Sequence, residues 1–147
     1  MNGGVILLVD DNPDDVAFTR RALAKNHVTN PVVVAHDGAE ALDLLLPPDG
    51  AAPLQPALVL LDMKLPKYDG HEVLQRLRAD PATRVLPVVV LTTSSEERDI
   101  VESYRLGANS YVRKPVAFAD FVAATDVLSR YWLAVNEPVP ARPGSHP

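Results

Sequence analysis

The chain of 147 residues contains no cysteine, so neither disulfides nor thiolate metal ligands can hold it together. No apolar run approaches the ~20 residues that span a bilayer, and the short apolar run near the N-terminus follows no cationic segment of the kind that opens a secretion signal. The expectation is a cytoplasmic protein without membrane contact. Basic residues are in deficit: 14 Lys and Arg against 19 Asp and Glu leave a net charge of −5. With no basic stripe to displace counterions, affinity for nucleic acid or anionic lipid is not expected.

The composition is 47% apolar and 22% charged, the balance of a globular rather than a disordered chain, and the length suits one domain. Short apolar runs alternate with segments of helical period. Val5–Val9, Val32–Ala35, Ala57–Leu61, Val88–Leu91 and Ser110–Arg113 read as strands, the first four too uniformly apolar to have a wet face. Amphipathic segments lie between and after them: Pro13–Lys25, Ala39–Leu46, Gly70–Arg78, Glu96–Leu106, and Val116 to about Ala134. Strict alternation predicts right-handed crossovers and a doubly wound parallel sheet between two helical layers. The domain is expected over residues 1–134. The tail 135–147 includes four prolines in "NEPVPARPGSHP", which excludes helix or central strand.

Ligands of an open parallel sheet bind beyond the carboxyl ends of its strands. Asp10 and Asp11 follow the first strand, Asp62 the third, Thr92 the fourth and Lys114 the fifth. The second ends in His36-Asp37-Gly38, ordinary turn chemistry. In the strand order 2-1-3-4-5, strand two lies outside the other four ends, which then gather three carboxylates, a hydroxyl and an ammonium. Taken singly, each residue has an ordinary reading as a cap, a turn former or a solvated charge; the conjunction is the signal. Clustered carboxylates raise one another's pKa, and a hard divalent cation relieves the conflict. Magnesium fits best, because it takes one or two carboxylates and keeps waters for an oxyanion. The remaining space suits a phosphoryl group neutralised by Lys114 and hydrogen-bonded by Thr92. Asp62 is then a plausible nucleophile, forming an acyl phosphate.

The stretches "LLVDDNPDD", "LLDMKLPKYDG", "PVVVLTTSS" and "LGANSYVRKP", with their spacing, resemble the receiver domain of two-component response regulators over about Val5 to Leu133. The resemblance implies a flavodoxin-like three-layer sandwich and phosphorylation of Asp62 by the phosphohistidine of a partner histidine kinase. It also implies a Mg2+ site from Asp10, Asp11, Asp62 and the Lys64 backbone carbonyl. Thr92 and Lys114 fall on the residues that contact phosphoryl oxygens, Tyr111 on an aromatic switch, and Lys114-Pro115 on a peptide that is commonly cis. Such a protein catalyses only its own phosphotransfer and slow dephosphorylation. "YWLAVNEP", with "VLTTSSEERDI" and "SYRLGANSYV", is similar to the single-domain regulators paired with bacterial phytochromes. Lys64 stands where many relatives carry Asn, Met or Arg, which bears on the dephosphorylation rate, as does Ser94.

The expected switch draws the Thr92 hydroxyl toward the new charge and turns Tyr111 inward, altering the surface of Glu96–Leu106, the fifth strand and the last helix. The expected output is a protein contact or the draining of phosphate from a kinase. On the last helix Phe121, Thr125, Leu128 and Trp132 form a stripe suited to docking on the sheet. Ala123, Val127, Tyr131 and Ala134 form a second apolar face, read as either core or dimer surface. A homodimer through the fourth helix, fifth strand and fifth helix is the expectation. His27, His36, His71 and His146 form no site and read as solvated or structural.

The principal rival is a binding module of the same fold that signals without phosphorylation; such modules typically lose the acidic pair, the phosphoacceptor or the lysine, all present here. An aspartate-nucleophile phosphatase normally has D-x-D after its first strand. A calcium loop needs ligands at alternate positions and a central Gly. A dinucleotide fold needs G-x-G-x-x-G. None of these patterns is present.

Overall fold

The computed structural model describes residues 4–140. Most of the proline-rich tail, with His146, lies outside the described residues. The elements alternate as expected: β1 (Ile6–Val9), α1 (Pro13–Lys25), β2 (Val32–Ala35), α2 (Gly38–Leu45), β3 (Leu58–Leu61), α3 (Gly70–Ala79), β4 (Val88–Thr92), α4 (Glu97–Arg105), β5 (Ser110–Arg113) and α5 (Phe118–Arg130). A single wide helical turn, Tyr131–Val135, extends α5. The sheet is parallel throughout, in the order β2-β1-β3-β4-β5.

Alternation along the strands splits the core in two. Leu7, Val9, Val59, Leu61, Val88 and Val90 pack beneath α2 and α3. Ile6, Leu8, Leu58, Leu60, Val89 and Leu91 pack against α1 and α5. The three central strands are buried on both faces, which is why they read as continuous apolar runs. The expectation that β2 has no wet face is corrected. Val32, Val33 and Val34 are only half-buried, because an edge strand has a neighbour on one side alone.

The first helix starts where local chemistry says it should. Asn12 caps it through its side-chain oxygen, which accepts from the amides of Asp14 (2.9 Å) and Asp15 (3.2 Å), and Pro13 occupies the first helical position. The last helix departs from its expected stripe. Phe121, Thr125, Ser129 and Leu133 are the buried positions, while Leu128 and Trp132 pack alongside, half-buried. The buried hydroxyls are satisfied within the helix, Thr125 and Ser129 donating to the carbonyls of Phe121 (2.9 Å) and Thr125 (2.8 Å), and Thr125 also accepts from Asn26 at the end of α1 (2.9 Å). The wide turn then rotates Leu133 inward. The second apolar face is not core: Val127 is 68% and Tyr131 47% exposed, and Ala123 and Ala134 are exposed as well. Lys114-Pro115 is trans, as is every peptide among the described residues, in place of the cis form the resemblance implied.

Candidate functional site

Four strand ends meet at one edge of the sheet. Asp10 leaves β1 fully buried, Asp62 leaves β3 half-buried, Thr92 ends β4 buried, and Lys114 leaves β5 buried. Asp11 is exposed beside Asp10. Register places these ends side by side: Val9 pairs with Leu61, and Thr92 with Arg113. The Lys114 amide donates to the Thr92 carbonyl at 2.7 Å, fixing the lysine beside the threonine.

One carboxylate oxygen from each of Asp10, Asp11 and Asp62 lies within 4.8 Å of the others. Three hard oxygen donors at this spacing fit a small divalent cation, and the exposure of Asp11 leaves a route for ions and water. The Lys114 ammonium, its side chain only 7% exposed, is 2.9 Å from Asp10 and 3.6 Å from Asp15. The electrostatics follow from this crowding. Burial raises the Asp62 carboxyl above the ordinary range; Lys114 opposes that rise and the charge of Asp10 adds to it. Burial works against the Lys114 charge, but the hydrogen bond and charge of Asp10, with the charges of Asp62 and Asp15, outweigh it and hold the ammonium above its usual pKa.

The loop after β3 is tied down around Asp62. The Lys64 amide reaches an Asp62 carboxylate oxygen at 3.4 Å, while the Lys64 side chain points to solvent. Gly70, at the start of α3, sits so close to the backbone of Asp62 and Met63 that a Cβ there would lie 2.5 Å from the Asp62 carbonyl oxygen. Only glycine permits this approach.

On the other side, the Ser94 amide donates to the Thr92 hydroxyl (3.3 Å), the Ser94 hydroxyl to Asp99 (2.6 Å), and the Tyr111 hydroxyl to the Ser94 carbonyl (2.9 Å). The Tyr111 ring already packs against the α2/α3 side of the core. Burial raises its phenol pKa, with the carboxylates of Asp99, Glu96 and Asp62 adding to the rise.

Asp10, Asp11, Asp62, Lys64, Thr92 and Lys114 are therefore at this edge or in the loops leaving it, while Tyr111 lies within β5, opposite Val90, and reaches the loop after β4 through its hydroxyl. Three further features were not read from the sequence. Asp15, in the first turn of α1 where its charge suits the helix dipole, also faces Lys114 at 3.6 Å. Asp99 anchors the loop after β4. The turn after β2, read as outside the site, braces the loop that carries Lys64. Asp37 pairs with Lys67 at 3.4 Å, and Gly38 packs directly on the Tyr68 backbone. Only tertiary contact reveals that pairing. Of the histidines, His27 closes α1 in the left-handed region (φ 60), His36 pairs with Glu40, and His71 lies in the first turn of α3.

A five-stranded doubly wound sheet with an acidic trio, a buried lysine and a threonine at its carboxyl edge defines the receiver class of signalling domains. The chain belongs to that family: residues 6–126 match the response regulator receiver domain. Response regulator Rcp1 of Synechocystis is 35% identical over 88% of this chain and 88% of its own length. Its Mn2+-bound structure superposes with a TM-score of 0.84 at 34% identity, covering 94% of this chain and 99% of that one. The phosphorylated cyanobacterial phytochrome response regulator RcpA gives a TM-score of 0.82 at 37% identity, covering 92% and 97%. The bacteriophytochrome response regulator RtBRR gives 0.72 at 47% identity, covering 95% and 86%. The chain is thus a response regulator receiver of the kind found in single-domain phytochrome regulators.

Proposed function

We propose that Asp62 accepts a phosphoryl group from the phosphohistidine of a histidine kinase, a phytochrome-type kinase by the likeness to RcpA and RtBRR. The observation that carries this reading is the convergence of Asp62 with Asp10, Asp11 and the buried Lys114 ammonium at one sheet edge. The Asp62 carboxylate oxygen forms a bond to phosphorus as the phosphorus–nitrogen bond breaks, and the imidazole leaves with the electron pair. Asp10, Asp11, Asp62 and the Lys64 carbonyl would hold Mg2+, which supplies charge neutralisation for the phosphoryl oxygens. Lys114 meets the same oxygens as a preorganised cation, and Thr92 donates a hydrogen bond to them. The Lys64 side chain, exposed in the loop after β3, would bear on the dephosphorylation rate by reaching the acidic pocket or shading Asp62 from water. Replacement by Ala is then expected to change the life of the acyl phosphate, read by the decay of label.

The protein works in the cytoplasm, away from membrane and nucleic acid. No helix among the described residues is long and apolar enough to cross a membrane, and the acidic balance disfavours both surfaces. Its output is a changed contact surface on α4, β5 and α5, or removal of phosphate from the kinase. The exposed face of Val127 and Tyr131 supports a homodimer through these elements.

Incubation with acetyl phosphate or a labelled phosphohistidine kinase and Mg2+ tests the reading. Label on the wild type and none on Asp62→Asn is expected. Label that survives Asp62→Asn, or none on the wild type, overturns it.

A further inference from the structure

We infer that Asp15 is a positioning residue for Lys114: it takes up the ammonium when Asp10 turns toward a cation. The inference rests on the metal and phosphoryl reading of the site given above.

Both oxygens of Asp10 are engaged. Its Oδ1 accepts from the Asn12 amide at 3.0 Å, and its Oδ2 accepts from Lys114 at 2.9 Å. Asp10 is also the fully buried member of the acidic trio, 1% exposed. A cation bound to either oxygen competes with Lys114 for the Asp10 charge, because the ammonium and the cation repel each other. An ammonium as buried as that of Lys114 is costly to leave without a counter-charge. Asp62 also attracts Lys114 but belongs to the trio that faces the cation; without an alternative counter-charge outside the trio, Lys114 would cling to Asp10 and compete with metal.

Asp15 supplies the alternative. Its Oδ2 is 3.6 Å from the Lys114 nitrogen, beyond good hydrogen-bond length but inside ion-pair range. The carboxylate is not one of the acidic trio and is 41% exposed, so it has room to move. Its backbone is fixed by the Asn12 cap, which keeps it above the lysine. Asp14 carries the same charge on the same helical turn, yet it is exposed and forms no ion pair with Lys114 among the described residues. Charge alone does not distinguish the two aspartates; reach to Lys114 does.

Isothermal titration calorimetry with MgCl2 on the full chain separates these roles. Asp14→Asn is expected to weaken binding slightly, as loss of one nearby charge must. Asp15→Asn is expected to weaken it by a further ~3- to 10-fold, the lower part of the range of coupling between neighbouring groups. In a Lys114→Met background that extra loss should vanish, leaving Asp15→Asn equal to Asp14→Asn. Asp15→Glu, which keeps the carboxylate, should recover part of the affinity. Circular dichroism melts confirm that each variant is folded at the titration temperature. Equal effects of Asp14→Asn and Asp15→Asn in the wild-type background overturn the inference and leave the proposed function standing. So does an Asp15→Asn effect undiminished by Lys114→Met. Absence of Mg2+ binding by the wild type overturns both.

Discussion

The hydroxyl of Tyr111 donates a 2.9 Å hydrogen bond to the backbone carbonyl of Ser94, two residues beyond Thr92. The ring is thus joined to the loop that follows Thr92. Were Tyr111 a switch residue, phosphorylation would act by strengthening or breaking this bond.

Tyr111→Phe deletes that bond while keeping the ring. A loss of about 1 kcal/mol in stability is expected, the net worth of a typical neutral hydrogen bond. Phosphate uptake from acetyl phosphate should continue, because the hydroxyl is bonded to Ser94 and not to Asp62. Chemical denaturation and labelling, run side by side, check the two halves.

Asp62 gives a pH dependence whose sign is fixed by its surroundings. Burial, with Asp10 adding to it, raises the carboxyl above its ordinary 3.8 despite Lys114. The native state therefore holds this proton more tightly than the unfolded chain. The resulting stability is complete below the ordinary value and disappears as pH rises through the folded one. Asp62→Asn, which cannot ionise, should melt higher than wild type near neutral pH, with the gap closing as the acid is protonated. Melting curves across the acid range would show the opposite slope if Lys114 dominated.

Lys114→Met should slow acyl-phosphate formation by about 100-fold, the usual cost of removing one preorganised charge or donor from a reacting oxyanion. The substitution also strands the buried Asp10 beside an apolar chain, so added Mg2+ should raise the melting temperature of this variant more than that of the wild type. Labelling kinetics and melts with and without Mg2+ read both effects.

Two residues near the end of α5 should behave in opposite ways. Leu133 is 1% exposed within the α1/α5 side of the core, and Leu133→Ala should cost about 3 kcal/mol. Val127 is 68% exposed, and Val127→Asp should leave the monomer fold intact while abolishing a homodimer. Sedimentation velocity over a range of concentrations, with and without acetyl phosphate, decides the second outcome. A wild-type mass that stays monomeric throughout would remove the dimer proposal.

Much of the fold was written in local pattern. Continuous apolar runs of four or five residues, each separated by a helical period, determine a doubly wound parallel sheet because burial on two faces demands it. Asn12-Pro13 determines the start of α1 with no help from elsewhere in the chain. The acidic trio, Thr92 and Lys114 were legible for the same reason: strand ends sit side by side in such a sheet. Other features depend on residues far apart in the chain. Whether Val127 lies inside or outside rested on which face of α5 is buried, the Phe121–Thr125–Ser129 face that meets the end of α1 at Asn26. That β2 keeps a wet face follows from its place at the edge, not from its sequence of valines. The ties from Tyr111 to Ser94, from Asp37 to Lys67 and from Lys114 to Asp15 join loops 17, 30 and 99 positions apart in the chain. Periodicity assigns a residue to a face; only packing of one loop upon another sets a distance of 3 or 4 Å, and the chemistry of this site depends on that distance.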